Sequence, residues 1–189
     1  MQAAIASDPE PPSEAARDPI AQLIAAGNHR DALAACARTH ATILGRLAMA
    51  LLGSQADADE AVQETLLRAH RGMVQYRAEG SVKAWLCGIA RHVCVRTLET
   101  RRRGRELSLE LVRPESTNEL AIRQRARQLR GALDQLKPTE REALVLHYVA
   151  GLSHREIAAA CNLDEATARK RTSRALARLR TVMPDQELV

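Results

Sequence analysis

The chain has 189 residues, of which 46% are hydrophobic and only 2% aromatic, with no Phe at all. That palette excludes aromatic-rich sheet cores and leaves Leu, Ala, Val and Ile, the packing of closely set helices, so an all-α fold of two small helical domains is expected. A formal net charge of +5 points to a polyanionic partner.

No apolar run is long enough to span a bilayer and no signal-peptide pattern opens the chain, so a soluble, cytoplasmic protein is expected. Cys36, Cys87, Cys94 and Cys161 are scattered singly and read as small buried thiols of a reducing compartment. Neither Cys36 with His40 nor His92 with Cys94 completes a four-ligand set, so no metal and no cofactor is expected. A P-loop, a nucleophile elbow and a paired-carboxylate constellation are all missing, and the chain does not read as an enzyme.

In chain order, residues 1–18 are rich in Pro, Ala and acids and read as a disordered tail. From Pro19 the pattern turns helical through Ile20, Leu23 and Ile24, breaks at Gly27, and resumes from Ala32 to Leu52, where Gly53 ends it. The next helix, from Asp57 to about Val74, sets Ala58, Val62, Leu66, Ala69 and Met73 on one face. Asp57, Asp59, Glu60, Gln63 and Glu64 gather elsewhere on it, with no base before Arg68. Such a patch either complements the helix N-terminus or binds a basic protein surface, and periodicity alone leaves both open.

The segment MVQYRAEGS then makes a loop, and Ser81 is placed to cap a helix through Val82, Trp85, Leu86, Ile89, Val93 and Leu98. That helix ends in a basic run, Arg91, Arg96, Arg101, Arg102, Arg103 and Arg105. The run is either a solvated helix end with cations on the dipole or a nucleic-acid contact. Residues 104–118 lose the helical period and contain Pro114, which marks an interdomain linker between a domain at 19–103 and a second at 119–182. Ile122, Ala126, Leu129, Leu133 and Leu136 form the stripe of a helix completing the second core, and residues 183–189 are read as a tail.

Residues 137–180 announce three short helices by their end signals. Thr139 with Glu142, and Ser153 with Glu156, have capping-box spacing. Gly151 and Asn162 suit helix stops, and Asp164 opens a last helix. A helix of about two turns, a tight turn and a longer helix is helix-turn-helix spacing. The outward side of the last helix carries Arg169, Lys170, Arg171, Arg174 and Arg178, which suits either a solvated basic face or docking in a major groove.

The segment DADEAVQETLLRAHRGMVQYRAEGSVKAWLCGIARHVCVRTLETRRR is similar to region two of the extracytoplasmic-function (ECF) group of bacterial RNA polymerase sigma factors, of the sigma-70 family. LKPTEREALVLHYVAGLSHREIAAACNLDEATARKRTSRALARLR resembles region four, and together the resemblance covers about residues 20–182. It implies that Asp57, Asp59, Glu60, Gln63 and Glu64 bind the clamp helices of the core polymerase's largest subunit. It places Tyr76, Lys83, Trp85, Arg91, His92 and Arg96 at the minus-ten promoter element, with Trp85 serving either there or as a core anchor. Thr167, Arg169, Lys170, Arg171 and Arg174 fall where the family reads the minus-thirty-five element.

The family also implies an anti-sigma partner. The sequence departs from the usual pattern with Leu66 and His70 at aromatic positions, His92 for Asn, Arg96 near a usual Asp, Asn162 for a turn Gly, and Ala168 for Val. A stand-alone helix-turn-helix regulator, or an adaptor that mimics a sigma factor to titrate an anti-sigma protein, are the rival readings.

Overall fold

In a computed structural model of the chain, in which residues 18–78, 80–105 and 128–183 are described, every regular element is helical. The tail expected at 1–18 lies outside the described residues except for Asp18, whose carboxylate accepts the Ile20 amide at 2.8 Å and caps α1 (Pro19–Ala25). Pro19 occupies the first helical position, where its missing N–H costs nothing.

Helix α2 (His29–Leu52) stops at Gly53, whose φ of 73° is the left-handed conformation glycine adopts freely. Its last turn holds no base of its own. Arginines from elsewhere satisfy its end: Arg141 donates to the carbonyls of Ala50 and Leu51 at 3.0 and 2.9 Å, Arg130 to Gly53 at 3.1 Å, and Arg101 to Leu52 at 3.4 Å.

Helix α3 (Gln55–Gly72) follows a Ser54 cap and runs into a single 3-10 turn, Met73–Gln75. Ala58, Ala61, Thr65 and Ala69 are its buried face, and the Thr65 hydroxyl donates to the Ala61 carbonyl at 2.6 Å so that no polar atom is stranded. Helix α4 (Val82–Arg105) begins as expected at Ser81, whose hydroxyl accepts the Ala84 amide at 3.1 Å. It stays helical through Arg105, beyond the expected linker start; the rest of the linker, and Ile122 and Ala126, lie outside the described residues.

A helix over residues 128–134 (α5) buries Leu133, and Leu136 follows it into the core, whereas Leu129 is 39% exposed and falls off the expected stripe. Helix α6 (Pro138–Tyr148) corrects the Thr139–Glu142 capping box. The cap position is Lys137 with no side-chain hydrogen bond, Pro138 opens the helix, and Glu142 is buried with a different partner. Helix α7 (His154–Cys161) has the expected box in full, with the Ser153 hydroxyl and Glu156 carboxylate satisfying each other's amides. Asn162 ends it in the left-handed conformation, and Asp164 caps α8 (Glu165–Val182). Met183, expected in a tail, is buried; residues 184–189 lie outside the description.

Two apolar cores result. The smaller joins Leu133 and Leu136 to Leu144, Ala175, Leu179 and Met183 under α5, α6 and α8. The larger runs without a break from Ile20, Leu47, Met73 and Leu86 in the first half to Leu146, Leu152, Ile157 and Ala168 in the second. The two halves of the sequence therefore pack on one another.

Candidate functional site

Three surfaces carry the residues singled out in the sequence. On α3, Asp59, Glu60 and Gln63 are exposed beside Leu67, itself 51% exposed. Glu64 pairs with Arg68 one turn on at 2.6 Å, and Gln55 donates to Asp59 at 2.8 Å. Asp57 forms an ion pair with Arg101 from the basic end of α4. The acidic face is thus partly compensated by the very run that sequence alone read as a possible nucleic-acid contact. Arg96 borders the same cleft, opposite Glu60 and Glu64, instead of joining the loop residues.

Tyr76, Trp85 and His92 come together around one cavity beside the loop before α4. The Tyr76 and Trp85 rings lie 4.9 Å apart and tilted, and the Tyr76 hydroxyl donates to the Gly80 carbonyl at 2.9 Å. Burial, aided by Asp18, pushes the Tyr76 phenol up to about 12, so it stays a neutral donor. Burial and the adjacent Arg91 guanidinium lower the His92 pKa and favour its neutral ring. Trp85 therefore does both jobs weighed for it, packing on the core and facing a cavity.

The far wall of that cavity belongs to the second half of the chain, where Ala159 and Ala160 of α7 line it. Lys83 donates to the Gly151 carbonyl at 3.2 Å, and Arg91 pairs with Glu142 at 2.6 Å. Ser81, besides capping α4, donates to Glu156 at 2.5 Å. Sequence reasoning missed Ser81, Gly88, Glu142 and Glu156 as members of this site. Gly88 did carry a signal, since a glycine in mid-helix is unfavourable unless another backbone approaches it closely.

On α8, Lys170 and Arg174 are exposed and Arg171 is half-buried. Arg169 pairs with Glu165 at 2.8 Å, exposed on both sides. Thr167 is engaged in the helix cap, its amide and hydroxyl each 2.7 Å from the Asp164 carboxylate. Those bonds hold the Asp164 carboxyl below its ordinary value. Arg178, grouped with the outward cations by sequence, turns to the buried Glu140 at 2.9 Å. Ala168, fully buried, anchors the helix with little bulk. The cysteines are free, and burial pushes Cys36 and Cys87 up to about 11 and Cys94 to about 12, leaving unreactive neutral thiols.

Residues 36–104 match the family model of sigma-70 region 2, and residues 126–179 that of sigma-70 region 4. The ECF RNA polymerase sigma factor EcfG of Rhodopseudomonas palustris is 32% identical, over 74% of this chain and 78% of its own length. The chain belongs to the ECF sigma factors of the sigma-70 family. ECF sigma factor SigE of Mycolicibacterium smegmatis is 35% identical over 76% of the chain, which spans 58% of that longer relative. SigM of Mycobacterium tuberculosis is 32% identical, over 75% of the chain and 72% of its own length.

Among solved structures, the sigma factor RpoE of Bartonella quintana, bound to the anti-sigma factor NepR, superposes with a TM-score of 0.62 at 26% identity, over 80% of this chain and 96% of that one. CnrH, in complex with the cytosolic domain of CnrY, shares the fold with a TM-score of 0.67 at 23% identity, over 89% and 97% of the two chains. In this sigma factor the acidic face and the Tyr76–Trp85 cavity lie in the stretch matched to region 2, and the basic α8 in the stretch matched to region 4. No helix among the described residues is long and apolar enough to cross a membrane.

Proposed function

We propose that this sigma factor is a dissociable subunit that binds core RNA polymerase through α3, brings it to a two-part promoter and nucleates strand opening. Asp59, Glu60 and Gln63 form the accessible centre of the polymerase-binding face, with Asp57 and Glu64 held at its edges by Arg101 and Arg68. Tyr76, Trp85 and His92 form the pocket for an unstacked base of the minus-ten element, with Lys83, Arg91 and Arg96 supplying charge along α4. Lys170, Arg171 and Arg174 read or grip the minus-thirty-five element from α8, while Thr167 and Arg169 shape its N-terminal turn.

The protein performs no chemistry of its own, acts in the cytoplasm where the polymerase works, and is restrained by an anti-sigma protein. The observation that carries this reading is the separation of charge, an exposed acidic helix in one unit and an exposed basic helix after a tight turn in the other. A regulator working through the helix-turn-helix alone would have no use for the first.

Run-off transcription with purified core polymerase on a genomic template library tests it. The wild-type chain yields transcripts sharing a two-part motif. Glu60→Lys abolishes them with circular dichroism unchanged, because the side chain is exposed. A library returning no start sites specific to this chain overturns the proposal.

A further inference from the structure

The surfaces proposed to meet the promoter and the polymerase differ in access. Asp59, Glu60 and Gln63 stand free, but the promoter-facing side of α4 is covered by α7. The two helices touch through small residues. A Cβ built on Gly88 would lie 3.5 Å from the backbone and Cβ of Ala160, so their backbones nearly meet. Around that contact sit polar links made by Ser81 to Glu156, Lys83 to the Gly151 carbonyl, and Arg91 to Glu142.

The Arg91–Glu142 pair is mostly withdrawn from water, the side chains 16% and 11% exposed, and every other side chain buried beside Glu142 on α6, apart from Glu140, is apolar. A carboxylate buried there without its guanidinium would be strongly unfavourable, so this residue fits only the arrangement in which the two units are together.

We infer that the free protein is self-inhibited. The helix-turn-helix unit latches onto α4 and closes the minus-ten cavity, so polymerase must engage α3 before the promoter can enter. The inference rests on the sigma-factor reading for the identity of the covered surface. DNA and α7 compete for the same residues, and the affinity of the free chain for promoter DNA is reduced by the fraction that is open. The acidic face is excluded from this competition, which sets the order of binding.

A reversible tether tests the latch in the full chain. The 3.5 Å between the built Gly88 Cβ and the Ala160 Cβ lies within the spacing of about 3.5–4.5 Å that a disulfide requires. Gly88→Cys with Ala160→Cys, in a Cys161→Ala background, should crosslink spontaneously under mild oxidant in the absence of DNA. The oxidised form should still co-purify with core polymerase but transcribe at least about tenfold less than the reduced form. Addition of reductant should restore transcription.

A second variant, Glu142→Ala, leaves Arg91 unpaired only in the closed form. It should enlarge the scattering radius of the free chain and tighten its binding to duplex promoter DNA by roughly tenfold. Failure of the tether to form, equal transcription by the oxidised and reduced forms, or an unchanged radius in Glu142→Ala overturns the latch. Absence of transcription from wild type and reduced tether alike overturns the sigma-factor reading instead, while crosslinking yield and radius still decide the latch.

Discussion

Single residues in this protein carry double duties that their types alone do not reveal. Glu156 completes the capping box of α7 and also accepts the Ser81 hydroxyl of the opposite unit. Glu142 has the spacing of a capping-box acid behind Thr139, yet Pro138 starts the helix one residue earlier and frees the carboxylate for Arg91. Asn162 does a single thing. At a φ of 54° it accepts a left-handed conformation that side chains with a Cβ resist, Asn less than most. Asn162→Gly is therefore expected to be neutral or slightly stabilising and Asn162→Ala to cost about 1 kcal/mol, read from urea midpoints at unchanged m-value.

At the scale of elements, caps and charges set where each helix ends. Helix α7 is only eight residues long, too short to persist on propensity, so its N-terminal box and its packing hold it. Burial would raise the Glu156 carboxyl, but hydrogen bonds from Ser81 and Ser153 outweigh it and hold the group below its ordinary value of 4.5. A depressed carboxylate contributes its stabilisation fully above that ordinary value and loses it as the pH falls through the depressed one. Stability of the wild type should accordingly decline below pH 4.5, and Glu156→Gln should flatten part of that acid limb while lowering stability at neutral pH. Urea unfolding of both proteins across that range measures the difference; parallel curves would remove Glu156 from the account. Helix α2 shows the complementary case, a C-terminus with no cation of its own that takes three arginines from other elements.

For the molecule as a whole, the decisive feature is that one apolar core crosses from the first unit to the second. Ile157 of α7 is fully buried in it, together with Leu86 and Val82 of α4. Ile157→Ala should cost about 2–5 kcal/mol, the usual range for a large-to-small change at such a site. The loss should be felt by both units together. Trp85, the sole tryptophan, reports the first unit by fluorescence, and far-ultraviolet circular dichroism reports all helices. Coincident denaturation curves from the two probes, shifted equally by Ile157→Ala, are expected for a single cooperative structure. Separate transitions would mean that the units fold and melt alone.

The sequence by itself determined the all-helical class, the caps at Ser81, Ser153 and Asp164, the stops at Gly53 and Asn162, and the segregation of acids on α3 from bases on α8. These follow from contacts within a few residues and from side-chain periodicity, which a linear chain displays. Only the tertiary structure decided that Asp57 meets Arg101, that Arg91 meets Glu142 across 51 residues, and that Ala160 seats against Gly88 to close the Tyr76–Trp85 cavity. Such pairings depend on how amphipathic helices dock, and many dockings satisfy the same apolar stripes, so no local pattern could have selected this one.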